Sequence, residues 1–127
     1  MSAVVVDTSV WIDFFGGRPT ERLEDALRLG SVIVPPVVVS EILSGVRARD
    51  RTAVLAFLRD LSLASTSLDH WVAVGDLRAM LARRGLSVST PDAHVAQCAL
   101  DADALLLTHD AVFKRIAGAT RLRVARG

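Results

Sequence analysis

Apolar strands alternating with amphipathic helices predict an α/β fold, a three-layer α/β/α sandwich around a mostly parallel central sheet. Two runs anchor that expectation. Val4-Val5-Val6 and Leu105-Leu106-Leu107 are continuous apolar stretches without polar alternation, the pattern of strands covered on both faces by helices. Each stops on small polar and acidic residues, Asp7-Thr8-Ser9 in the first case and Thr108-His109-Asp110 in the second. Ligands of open α/β sheets sit outside the carboxyl ends of the strands, so both acids are site candidates from position alone. With 127 residues, 51% hydrophobic and 23% charged, the chain is expected to form one domain over 1–127. A domain of that length hides roughly two-thirds of its unfolded surface and needs no disulfide or structural metal.

After the first strand, Thr8 or Ser9 is placed to cap a short helix through Phe15, stopped by Gly16-Gly17. Trp11, Phe14 and Phe15 add bulk beside that strand, as core or as a surface for a partner chain. Pro19-Thr20 opens a second helix with Leu23 and Leu27 inward, ending at Gly30. Ser31 to Val34 forms a strand closed by Pro35-Pro36. The next valines favour strand by propensity, but Pro36 at a first helical position and Val38, Ile42 and Val46 at i, i+4, i+8 favour a helix. Glu41 lies on that helix and can face the sheet edge that carries Asp7.

The run Arg47-Ala48-Arg49-Asp50-Arg51 leads into a helix with Val54, Leu55, Leu58 and Leu61 inward; its charges form a solvated face or a phosphate contact. Leu63 to Ser67 is a weak strand. Asp69 to Arg84 forms the longest helix, with Val72, Leu77, Met80 and Leu81 as its apolar stripe and Gly85 as its stop. In Ser89-Thr90-Pro91-Asp92 a hydroxyl N-cap, a proline and an acid open another helix through Leu100. Asp92 alone would serve as a helix-dipole carboxylate worth about 0.3–1 kcal/mol. Asp110 caps a helix over Ala111 to Ala117, and Leu122 with Val124 supplies a last edge strand.

Composition narrows the functional classes. The formal net charge is only +1, so the whole-molecule field leaves no strong nucleic-acid footprint. Lys114 is the sole lysine and all other basic residues are arginine, which reflects either phosphate and interface chemistry or a compositional bias. Nothing reaches the length of a membrane span and no leader pattern opens the chain, which predicts a cytoplasmic protein. Cys98 is the single cysteine, expected as a small buried residue.

Four acids converge on one edge in this layout: Asp7 and Asp110 from strand ends, Glu41 and Asp92 from helices. Clustered carboxylates raise one another's pKa values and call for a counter-charge. Oxygen-only donors suit Mg²⁺ or Mn²⁺. Zinc is not expected, because His70, His94 and His109 show no metal-ligand spacing and Cys98 is single. A carboxylate-held divalent cation suits phosphodiester hydrolysis. Ser9 and Thr108 can hydrogen-bond the carboxylates from behind, or serve only as turn and cap residues. His109 is either a proton carrier or a solvent-exposed loop residue.

The chain resembles a known family at these residues. Asp7 in V-V-V-D-T-S-V-W-I-D, Glu41 in P-P-V-V-V-S-E-I-L-S-G-V, Asp92 in S-T-P-D-A-H-V-A-Q-C-A and Asp110 in A-L-L-L-T-H-D-A-V-F-K-R-I look like the four acidic positions of the PIN domain, in order. The resemblance spans essentially the whole chain, whose length is similar to that of the VapC toxins of bacterial toxin–antitoxin pairs. It implies an endoribonuclease dependent on Mg²⁺ or Mn²⁺, a homodimer in many members, inhibited by a cognate antitoxin. By position, Asp7, Asp92 and Asp110 would hold the metal, and Glu41 would be a ligand or a water-activating base. Substrate selection does not carry over; Arg47, Arg49, Arg51, Arg83, Arg84 and Arg115 are the candidate RNA contacts.

Other phosphate-handling sheets fit less well. A haloacid-dehalogenase-type phosphatase would want a second Asp where this chain has Ser9, and a response-regulator receiver would want a lysine at a late strand end. Dinucleotide binding would want G-x-G-x-x-G after the first strand, and it is absent. A different class also stays open: a non-catalytic PIN-like interaction module whose acidic pocket binds a basic partner peptide.

Overall fold

The computed structural model describes residues 2–127. Five strands, β1 (Val4–Val6), β2 (Val32–Val34), β3 (Ser62–Leu63), β4 (Leu105–Thr108) and β5 (Arg123–Arg126), form one sheet in the order β3-β2-β1-β4-β5. Every pairing is parallel, a more uniform sheet than expected. Seven helices flank it: α1 (Thr8–Phe15), α2 (Glu21–Arg28), α3 (Pro36–Gly45), α4 (Arg51–Arg59), α5 (Leu68–Arg83), α6 (Thr90–Asp101) and α7 (Ala111–Ala117). A 3-10 turn, Ala48–Asp50, precedes α4. Among the described residues no helix is long and apolar enough to cross a membrane.

This strand order creates the site. From β1 the chain winds outward to β3, then crosses back to lay β4 on the other side of β1 and continues to β5. The winding direction reverses between β1 and β4, which is where such sheets leave a crevice. Val4 pairs with both Val32 and Leu105, and Val6 pairs with Leu107, so Asp7 and Thr108 leave the sheet side by side. Val5, Val6, Leu106 and Leu107 are essentially solvent-free, the two-sided burial that their unbroken hydrophobicity demands.

Trp11 is fully buried on α1, with its ring 5.7 Å from Phe14, 5.8 Å from Phe15 and 6.0 Å from Phe57 of α4. These aromatics therefore belong to the core. The Trp11 indole Nε1 is the one buried side-chain nitrogen or oxygen without a hydrogen-bond partner among the described residues. Thr20 caps α2 through the Leu23 amide, and Val38 and Ile42 bury the inner face of α3 as their spacing requires. Gly30 and Gly85 take positive φ, 65° and 83°, where a side chain would be strained.

Local expectations shift in three places. The strand predicted at Leu63 to Ser67 is the two-residue β3, since only Ser62 and Leu63 align with β2. The last strand begins at Arg123, so Leu122 packs just outside it. On α5 the buried side chains are His70, Val74, Leu77 and Leu81, while Val72 is 52% exposed. The inward stripe runs i, i+4, i+7, i+11 from His70, so Val72 falls on the opposite face. His70, absent from the predicted stripe, is held inward by Asp101 and His94 on α6.

Candidate active site

Asp7 occupies the N-cap position of α1, where Thr8 or Ser9 was expected, and no side chain caps that helix. Its carboxylate is turned to another task. Oδ2 accepts hydrogen bonds from Ser9 Oγ and from Thr108 Oγ1, both at 2.9 Å. The same two hydroxyls accept backbone amides of the β4–α7 loop: His109 N–H donates to Ser9 Oγ at 3.0 Å, and Asp110 N–H donates to Thr108 Oγ1 at 3.0 Å. Each hydroxyl thus links Asp7 to the loop that carries Asp110. Hydrogen bonds to a charged acceptor contribute about 1.5–3 kcal/mol each. Asp7 is 6% exposed, and neither hydroxyl occupies its second oxygen, Oδ1.

Of the other three acids, Glu41 and Asp92 lie on helices and Asp110 in the turn between β4 and α7. Glu41, on the exposed side of α3, accepts the Thr8 hydroxyl at 2.7 Å through Oε1. Asp110 caps α7, its Oδ1 accepting the Val112 amide at 3.0 Å. Asp92 lies in the first turn of α6, whose Ser89 cap accepts the Asp92 amide at 3.2 Å. Burial pushes the Asp92 carboxyl above its ordinary value, against the hydrogen bond with Ser89, and the charges of Asp110, Asp7 and Glu41 push it further. Asp92 therefore senses all three other acids.

These acids are spaced rather than clenched. Among the described residues no three of them bring one oxygen each within 4.8 Å of one another. Such a donor set fits Mg²⁺ or Mn²⁺, hard ions that keep several waters between themselves and part of their carboxylate shell. It would hold zinc poorly, for want of nitrogen or sulfur.

Two residues that sequence reasoning passed over complete the edge. Thr8, taken only as a cap, fixes Glu41. Asp13 receives His109 Nδ1 at 3.0 Å and Arg18 at 2.8 Å, and its carboxyl is held below the usual value chiefly by the Arg18 hydrogen bond. His109 is accordingly half-buried, with its ring anchored to Asp13, and is not a free loop residue. The periodicity of α1 carried a signal for Asp13, which falls one turn after Ser9.

The arginines divide by location. Arg47 and Arg49 line a groove of about 390 Å³ with Ile12, Phe15, Ile42 and Val46. Arg51, Arg83, Arg84 and Arg115 are exposed, and none of the six pairs with one of the four acids among the described residues. The cations that share a cleft with Thr108 and Asp110 are Lys114 and Arg126. Arg126 arrives there because β5 aligns it with Thr108, a register that composition could not reveal.

A second group of ligating side chains lies between α5 and α6. His70, His94 and Cys98 are all buried and place one ligand atom each within 4.8 Å of the others. The case against zinc rested on linear spacing, and the packing of α5 on α6 overturns that premise. Burial, aided by His70, pushes His94 down to about 4. Burial, aided by the Asp101 charge, pushes the Cys98 thiol up to about 12.

Comparison with known proteins agrees with the fold. The family model described as PIN domain matches residues 4–119. No curated protein matches the sequence significantly. The structure is similar to the DNA-bound VapBC from Salmonella typhimurium, at 22% identity and TM-score 0.82 over 99% of this chain and 98% of that one. It is similar to VapBC2 from Rickettsia felis bound to a promoter DNA fragment, at 20% identity and TM-score 0.79 over 98% of both chains. VapBC-5 of Mycobacterium tuberculosis, a member of the VapBC toxin–antitoxin family, matches at 25% identity and TM-score 0.73 over the full length of both. With residues 4–119 accounted for by one family model, the chain belongs to the PIN domain family.

Proposed function

We propose that this protein is a divalent-metal-dependent endoribonuclease, the toxin of a toxin–antitoxin pair. The observation that carries the reading is the setting of Asp92: burial and then the charges of Asp110, Asp7 and Glu41 raise this half-buried carboxyl, a penalty that a bound cation would relieve. Its structural neighbours, which are toxin–antitoxin complexes, support the pairing with an antitoxin.

Asp7, Asp92 and Asp110 would hold Mg²⁺ or Mn²⁺, with Glu41 as a further ligand or as the base that takes a proton from the attacking water. When bound, the ion supplies an acidified water and charge neutralisation at the phosphate. The protein's own part is positional. Ser9 and Thr108 fix the Asp7 carboxylate from behind, and Thr8 sets the rotamer of Glu41. Lys114 and Arg126 flank Asp110 in the adjoining cleft, where they attract phosphates despite the small net charge. The arginines at 47, 49, 51, 83, 84 and 115 are further proposed RNA contacts outside that cleft. A homodimer, a cognate antitoxin and a cytoplasmic setting complete the proposal.

The purified protein, freed of any antitoxin, should cleave total cellular RNA with Mg²⁺ or Mn²⁺ and stop with EDTA. Cleavage that survives EDTA or Asp7→Asn would sink the enzyme reading. Absence of cleavage together with tight capture of an Arg-rich peptide would favour the interaction module.

A further inference from the structure

The group between α5 and α6 has a different chemistry from the acidic edge and is built as a metal site is built. His94 and Cys98 are four residues apart on α6, so they share one helix face, and that face meets His70 from the first turn of α5. His70 Nε2 lies 2.8 Å from His94 Nδ1. Cys98 Sγ lies 3.9 Å from His94 Nδ1 and 3.8 Å from His94 Nε2. Tetrahedral zinc, with bonds of about 2.0–2.1 Å to nitrogen and 2.3 Å to sulfur, needs spans of about 3.3 Å between nitrogens and 3.6 Å from nitrogen to sulfur. The two imidazoles would separate by about half an ångström, and Cys98 Sγ, now almost equidistant from the two His94 ring nitrogens, would swing toward the Nδ1 side of the ring.

The surroundings of the group match this use. His70 Nδ1 is 2.9 Å from Asp101 Oδ2, and Gln97 Nε2 donates to Asp101 Oδ1 at 2.8 Å. A carboxylate behind one ring nitrogen holds the proton there and aims the lone pair of the other nitrogen inward, the arrangement that orients metal-binding imidazoles. Trp71 stacks on the His94 ring, 4.7 Å between centroids and 10° between planes, which fixes the second imidazole. A cleft of about 360 Å³ between the β3 edge and α6 is lined by Cys98 and Asp101, so an ion has a way in.

We propose that His70, His94 and Cys98 form a binding site for a thiophilic divalent cation, Zn²⁺ first, that ties α5 to α6. Nitrogen and sulfur donors select against the hard ions suited to the four acids. Binding forms bonds to His70 Nε2, His94 Nδ1 and Cys98 Sγ, with a water as the fourth ligand. The thiol proton passes to solvent, and the His94 ring carries its proton on Nε2 instead of Nδ1, so one proton is released per ion. Cys98 lies six residues beyond Asp92 on α6, about 9 Å along the axis, so the ion would brace the helix that presents that acid.

The test uses the full chain, stripped with a chelator and dialysed. Added Co²⁺ should produce a sulfur-to-metal charge-transfer band in the wild type, and Zn²⁺ should abolish the band at one equivalent per chain. Absence of the band overturns the proposal whatever the variants do, because it reports the thiolate directly. Asp101→Asn should keep the band and weaken Zn²⁺ binding about 10- to 100-fold; undiminished affinity contradicts the orienting role. Cys98→Ala should lose the band and at least about 100-fold in Zn²⁺ affinity, with circular dichroism reporting its fold. Asp7→Asn should bind Zn²⁺ like the wild type; a loss there would relocate the ion to the acidic edge and refute the site.

Discussion

Two parts of α6 hold ionisable side chains in opposite ways. At its N-terminus Asp92 joins three other carboxylates that repel it, with oxygen as the only donor atom. Further along, His94 and Cys98 meet His70 in a dry contact where each imidazole has a hydrogen-bond partner. The first arrangement carries unbalanced charge at the sheet edge and is completed by a ligand. The second is neutral and internally satisfied, so it can stand without an ion. The sheet edge calls for a ligand because its charge is unbalanced, whereas the second group takes an ion only by exchanging its own His70–His94 hydrogen bond for metal bonds.

The comparison breaks first at Asp7. Asp7→Asn should reduce RNA cleavage by at least about 100-fold, the scale of losing several kcal/mol of metal-assisted stabilisation, with single-turnover rates as the measure. Binding of Zn²⁺ to the histidine–cysteine group should not change. Thr108→Val should come next. It removes a donor to Asp7 and the acceptor of the Asp110 amide, which should cost about 1–3 kcal/mol in denaturant unfolding and slow cleavage as Asp7 loosens.

Asp101→Asn should cost about 1 kcal/mol of metal-free stability and leave cleavage untouched, since Asp101 braces the other group. The smallest effect carries the most diagnostic sign. The raised carboxyl of Asp92 means that folding is penalised once that group ionises. The penalty is absent below its ordinary value of 3.8, grows as pH rises through the folded-state value, and is complete at neutrality. In EDTA, Asp92→Asn should therefore raise Tm at pH 7 by a few degrees and give no gain at pH 3. Thermal scans at the two pH values check this, and equal shifts would mean that charge is not the cause.

Much of the acidic edge was legible because strand ends announce themselves. Val4 to Val6 and Leu105 to Leu107 could only be two-sided strands, and the residues that follow such strands must sit at the edge. Ser89 before Thr90-Pro91-Asp92 marked a helix start with an acid in its first turn, as the structure has it. The links between those parts were less legible. Ser9 and Thr108 stood equally as cap residues, Thr8 gave no sign that it would hold Glu41, and Asp13 showed only its place one turn after Ser9 and not its partner His109. On α5 the predicted stripe held at Leu77 and Leu81 but took the exposed Val72 and left out His70 and Val74. A polar side chain reads as exposed until its partner, here 24 or 31 residues away, is known.

The sequence by itself determined the layered α/β class, the order of the elements and which acids end them, because burial on two faces and helix capping are local demands. The tertiary structure alone decided what those residues meet. The reversal of winding between β1 and β4 sets Asp7 beside Thr108, the register of β5 delivers Arg126 to the same cleft, and the packing of α5 on α6 gathers His70, His94 and Cys98. Those contacts depend on how elements far apart in the chain are laid against one another, a property that no local pattern encodes.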